Sequence, residues 1–118
     1  MILLIEPDIV WQHRLQNVLQ SISAIKIAEN GQDAVERISN LDPFMIITEL
    51  QLPDMNWRRL YNHLAKYRGL SRMVAVTHEN QLDEVTDAMN LGFSGYFHKP
   101  SLNLSELQSA ITNLSNNF

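Results

Sequence analysis

Two rhythms of apolar residues alternate along this chain. Ile2 to Ile5, Phe44 to Ile47 and Met73 to Val76 are short uninterrupted runs, which is what strands covered on both faces require. Gly95 to His98 is a further strand, ending in Lys99-Pro100. Ile25 to Ala28 is weaker, with Lys26 set between Ile25 and Ile27 in a period of two, and suits the edge of a sheet. Between these runs lie stripes at helical spacing: Trp11, Leu15, Val18 and Leu19; Ala34, Val35 and Ile38; Leu60, Tyr61 and Leu64; Leu82, Val85, Ala88 and Met89; and Leu104, Leu107, Ile111 and Leu114. Each stripe predicts an amphipathic helix with that face turned inward.

The boundaries carry their own chemistry. Pro7 has no amide proton for a ladder and ends the first strand, and Asp8 is placed to cap the helix after it. Asn30-Gly31 opens the second helix, with Asp33 completing an approximate capping box, and Leu41-Asp42-Pro43 closes it. The third helix is predicted over Trp57 to Tyr67, with Arg58, Arg59 and Lys66 on its outer side and Gly69 as its stop. Asn80 with Asp83 opens the fourth helix, which Gly92 ends, and Asn103 with Glu106 opens the fifth. Five strands alternating with five helices predict an α/β fold, a parallel sheet in a three-layer sandwich, as a single domain over residues 1–118.

Composition narrows what such a domain does. Hydrophobic residues make up 45% of the 118 and charged residues 19%, an ordinary globular mix. A formal charge of -4 supplies no basic footprint, so direct nucleic-acid binding is not expected. With no cysteine there is neither a disulfide framework nor a thiolate metal site. The opening apolar run is broken at once by Glu6-Pro7-Asp8, too short for a signal core or a membrane span, which makes a cytoplasmic location the default. The glycines are scattered, and no strand is followed by a Gly-rich phosphate loop.

The segment Phe44 to Pro53, FMIITELQLP, is the one around which the rest is arranged. Its apolar run exits into Thr48 and Glu49, and in open parallel sheets the functional crevice lies outside the C-terminal strand ends. The same edge collects Glu6, Pro7 and Asp8 from the first strand, Thr77 from the fourth and Lys99 from the fifth. Singly these are a helix-start acid, a strand-end hydroxyl and a solvated lysine. Together they outline a site for an anion and a divalent cation, a phosphoryl site.

The order ILLIEPD, IITELQLPDM, VAVTH and GYFHKP resembles the receiver domain of two-component response regulators, of the chemotaxis-protein type, over nearly the whole chain. The resemblance implies a flavodoxin-like strand order 2-1-3-4-5, a cis Lys99-Pro100 bond and a non-enzymatic switch. The family's acidic pair falls on Glu6 and Pro7, and its phosphoacceptor aspartate on Glu49. Its switch hydroxyl, switch aromatic and phosphate-binding lysine fall on Thr77, Tyr96 and Lys99. Two departures touch the chemistry. Pro7 offers no side-chain oxygen to a metal, and Glu49 is one methylene too long. Magnesium needs a near-ideal octahedron of oxygens, so metal binding is expected to be weak or absent and no catalytic residue is assigned. Asn56-Trp57 stands where the family often has Asp-Gly. His78 replaces the small residue after the threonine, and either occupies phosphoryl space or turns outward.

The expectation is a pseudo-receiver that signals by protein–protein interaction with a histidine kinase, an effector domain or another signalling protein. Its output or homodimer surface would be the face of the fourth helix, fifth strand and fifth helix, with no membrane contact. The alternatives are a working phosphoreceiver that uses Glu6, Asp8 and Glu49 in unusual roles, and a flavodoxin-like binder of another anion or small ligand.

Overall fold

A computed structural model describes residues 1–67, 69 and 71–116. The elements run β1 (Ile2–Ile5), α1 (Ile9–Leu19), β2 (Ile25–Ala28), α2 (Gly31–Arg37) with a 3-10 turn over Ile38–Asn40, β3 (Met45–Thr48), α3 (Trp57–Leu64), β4 (Arg72–Thr77), α4 (Leu82–Asn90), β5 (Gly95–His98), a 3-10 turn over Lys99–Ser101, and α5 (Leu104–Ser115). All strand pairs are parallel, in the order β2-β1-β3-β4-β5. This is the flavodoxin-like arrangement. β1 runs inside the sheet with β2 at the edge, as the weaker pattern of β2 requires.

The uninterrupted runs are explained by the two layers they feed. Successive side chains of a strand point to opposite faces. Leu3, Ile5, Ile46, Met73 and Ala75 join Leu60 and Leu64 of α3 and Ala34 of α2 in one buried layer. Ile2, Leu4, Met45, Ile47, Val74 and Val76 join Leu15 and Leu19 of α1 and Leu107 and Ile111 of α5 in the other. Burying a Leu or Ile fully contributes roughly 1.5–3 kcal/mol, so β1, with its four residues at 1% exposure or less, is an anchor of the fold. α4 is the opposite case. Ala88 is its one buried residue, while Leu82 is 76% and Met89 44% exposed, so the predicted inward stripe does not hold along this helix.

Local signals hold at most ends. Asp8 Oδ1 accepts from the amides of Val10 at 2.8 Å and Trp11 at 3.2 Å. Asn30 caps Asp33 and Asn103 caps Glu106 through their side-chain oxygens. Three expectations need correction. The third helix ends at Leu64 rather than Tyr67, because Lys66 and Tyr67 donate to His63 and Leu64; these i−3 bonds tighten the last turn out of α geometry. Gly69 has a φ of +56° and lies in the connection beyond the helix. The fourth helix is capped by Gln81 with no side-chain cap bond, its first bond running from Val85 N–H to Gln81 O, so Asn80 lies one residue too early to cap it. Last, no described peptide bond is cis. The chain passes from β5 straight into a 3-10 turn, closed by Leu102 N–H on Lys99 O at 3.1 Å, with Lys99-Pro100 in the ordinary trans form.

Candidate functional site

Sheet register builds the site. Ile5 is paired with Thr48, which sets Glu6 beside Glu49 just past the strand ends, and Glu49 N–H donates to Ile5 O at 3.0 Å. Thr77 pairs with His98, so Lys99 emerges one residue beyond and turns back across the edge. Its ammonium lies 2.5 Å from Glu6 Oε1 and 3.0 Å from Glu49 Oε1, and the side chains of Lys99, Glu6 and Glu49 are 1%, 2% and 4% exposed. Two buried carboxylates therefore share one ammonium. Burying charges is costly unless they are paired and hydrogen-bonded; each member is paired here, although Glu6 Oε1 has the ammonium as an ion-pair neighbour without a well-formed hydrogen bond.

The Glu49 carboxylate is saturated with donors. Oε2 accepts from the Thr77 hydroxyl, from Leu50 N–H at 2.7 Å and from Gln51 N–H at 3.1 Å. Oε1 accepts from Lys99 Nζ at 3.0 Å and from His78 N–H at 3.2 Å. Burial works against its charged form, but the bonds from Thr77, Gln51 and Lys99 outweigh burial and hold its pKa below the ordinary glutamate value. Glu6 goes the other way. Burial dominates and raises its pKa, although Lys99 and the Asp8 amide, 3.0 Å from Oε2, favour the anion.

The predicted residues divide. Glu6, Glu49, Thr77 and Lys99 come together. Asp8 does not, being exposed and committed to capping α1. Pro7 is half-buried and brings no side-chain donor or acceptor. Tyr96 joins at second hand: its hydroxyl donates to Glu79 O, while Glu79 N–H donates to Thr77 Oγ1 at 2.9 Å. Burial, then Glu79 and Glu49, raise the Tyr96 pKa. His78 stands at the rim, its side chain 49% exposed, with Nδ1 3.5 Å from Glu49 Oε1 and its ring edge-on to Trp11 at 6.2 Å.

Two contributors escaped the pattern of residue types. Trp11 reads as one more core position, yet Lys99 Nζ lies 5.1 Å from its ring centroid and Arg14 4.2 Å, so the indole roofs the ammonium. The backbone N–H groups of Leu50, Gln51 and His78 carry no sequence signal, although any parallel strand end presents such amides. As a magnesium site the constellation fits poorly. The oxygens of Glu49 are occupied, Oε1 of Glu6 faces the ammonium, and among the described residues no group of three or more His, Asp or Glu side chains converges as metal ligands do.

The response regulator receiver domain model matches residues 2–112. The chain belongs to that family. It is 23% identical over 111 residues to the Regulator of RpoS of Escherichia coli K12, covering 93% of this chain and 33% of that protein. It is 28% identical over 86 residues to the nitrate/nitrite response regulator protein NarL of the same organism, covering 73% of this chain and 40% of that protein. The chain thus spans about a third of the length of the first of these relatives and two fifths of the second. A CheY-like receiver domain protein from Methanospirillum hungatei JF-1 superposes with a TM-score of 0.88 at 22% identity, over 98% of this chain and 92% of that one. At that identity the superposition shows the fold. This receiver domain belongs to two-component signalling, and among its described residues no helix is long and apolar enough to cross a membrane.

Proposed function

We propose that this receiver domain is a pseudo-receiver, in which the Glu49 carboxylate stands permanently where a transferred phosphoryl group would be held. The observation that supports this reading is the saturation of Glu49: hydroxyl, ammonium and three backbone N–H groups converge on its two oxygens. These are donors suited to a phosphoryl anion, and they are already satisfied. A single carboxylate charge substitutes only in part for the roughly -1.5 to -2 of a phosphoryl group. Thr77 is thereby held inward, and through Glu79 it is linked to Tyr96. Magnesium has no part in this state, because Pro7 supplies no ligand. The domain signals by contact with a kinase, an effector or a second copy in the cytoplasm. The face of α4, β5 and α5, where Leu82 and Met89 are exposed, is the surface for it.

Phosphoryl transfer tests the reading directly. It depends on positioning and on metal-assisted charge neutralisation, so restoring either part alone should do little. Wild type, Pro7→Asp, Glu49→Asp and the double variant are incubated with acetyl phosphate and magnesium, and intact mass is read. The double variant alone should gain a phosphoryl mass, since changes acting on one transition state are non-additive. A gain by the wild type overturns the proposal.

A further inference from the structure

α4 is the α-helix with the fewest buried residues, and beside the apolar cluster that Ala88 and the following Phe93 share with α3 its tie to α3 is polar. Only Ala88 of α4 is buried, and its N-cap residue Gln81 makes no side-chain capping bond. What crosses to α3 is a compact set of contacts. Arg58 Nη1 lies 2.7 Å from Glu84 Oε2 and Nη2 lies 2.5 Å from Asp87 Oδ2. Trp57 Nε1 donates to the same Glu84 oxygen at 2.5 Å. The guanidinium lies 4.6 Å from the Trp57 ring centroid, a cation–π contact that orients the fork. The Tyr61 hydroxyl donates to Leu91 O at 3.0 Å, just past the end of α4.

α3 is itself fixed from its other side. Asp54, in the loop leading into α3, accepts from Gly31 N–H at 3.0 Å and Gln32 N–H at 2.8 Å with its two carboxylate oxygens. A Cβ at Gly31 would stand 2.6 Å from Met55 Cγ in the same loop, so any side chain there would displace the Met55 side chain. Trp57 is 4% exposed and packs edge-on against Phe93 at 5.9 Å. The start of α3 is thus a rigid mount, and Arg58 is the arm that reaches from it to α4. The reach covers Glu84 and Asp87, three residues apart on one face of α4.

We propose that Arg58 is a positioning residue, an electrostatic latch that sets where α4 sits against α3 and so how its exposed Leu82 and Met89 are presented. The latch acts on α4 from α3, through residues that make no contact with Glu49 in the bonds described, and the inference does not rest on the pseudo-receiver reading. Its side chains are 28–51% exposed, so salt screens it and a partner's charges can compete for it. The buried Lys99 cluster is open to neither.

Hydrogen exchange on the full chain tests this, read at the amides of α4 and, as an internal reference, at those of β1 and β3. Arg58→Ala should speed exchange in α4 by about fivefold to tenfold and leave the strands within about twofold, because local opening and global unfolding are separate processes. Salt raised to about 0.5 M should speed α4 exchange in the wild type but not in Arg58→Ala, since the Debye length then falls well below 10 Å. Charge reversal supplies the rescue. Arg58→Asp should loosen α4 further, and Arg58→Asp combined with Asp87→Arg should return it to within about threefold of wild type. Unchanged α4 exchange in Arg58→Ala overturns the latch. So does equal acceleration of α4 and the strands, which would make Arg58 merely structural, and so does failure of the reversed pair to recover.

Discussion

Two ionic clusters of the same composition, a cation between two carboxylates, sit in different solvents. Lys99 with Glu6 and Glu49 is sealed at the strand exits, with side chains no more than 4% exposed. Arg58 with Glu84 and Asp87 bridges two helices, with side chains 28–51% exposed. The distances are similar, 2.5 and 3.0 Å against 2.5 and 2.7 Å. Burial rather than geometry separates them. In the sealed cluster every charge depends on its partners, because water cannot replace them. In the bridging cluster water and salt compete, and the net value of each pair is small. One is suited to fixing a state and the other to adjusting a helix.

The largest effect should come from removing the shared ammonium. Lys99→Met leaves two buried carboxylates uncompensated and should cost about 3–5 kcal/mol, read as a fall in the urea midpoint followed by tryptophan fluorescence. Adding Glu6→Gln should recover part of that loss. A cost below about 1 kcal/mol would erase the distinction between the clusters.

Double-mutant cycles sharpen it at the next scale. Glu49→Gln with Lys99→Met should show a coupling of roughly 0.5–3 kcal/mol. Arg58→Ala with Asp87→Ala should show about 0.2–1 kcal/mol. Repeated in high salt, the second value should shrink and the first should persist. Equal salt sensitivity would mean that the Lys99 cluster is hydrated.

The smallest effect concerns pH, and the two glutamates of the sealed cluster should behave oppositely. Glu49, with its folded pKa lowered, contributes stability that is present above its unfolded value and lost as pH falls through the folded one. Glu6, with its pKa raised, contributes stability that is present below its unfolded value and lost as pH rises through the folded one. The urea midpoint plotted against pH should therefore flatten below about pH 4.5 in Glu49→Gln and above it in Glu6→Gln, 4.5 being the ordinary value for both. The same flattened limb in both variants would show that the pair titrates as one unit.

Much of this was legible in residue order. Short runs without alternation, bounded by turn residues, suit strands covered on both faces, and the stripes between them suit helices lying on those faces, so layers and parallel connections followed from the pattern. Asp8, Asn30 and Asn103 announced their helices because a cap bonds within three residues. The strand-exit rule places Glu6, Glu49, Thr77 and Lys99 at one edge from residue order alone. α4 was the weak point. Its stripe of Leu82, Val85, Ala88 and Met89 has helical spacing, but periodicity cannot say how much of a face is covered, and only Ala88 is buried.

By itself, the sequence determined the order of elements, the edge position of β2, the residues gathered at the strand exits and the absence of a side-chain oxygen at Pro7. These depend on local spacing and residue chemistry, which are written in the order of the chain. Only the tertiary structure decided that one ammonium serves two carboxylates, that backbone amides of Leu50, Gln51 and His78 complete the shell of Glu49, and that Arg58 is spent on α4 rather than on solvent. Each of those joins atoms distant in sequence or uses groups that every residue carries, and no pattern of side-chain types encodes either.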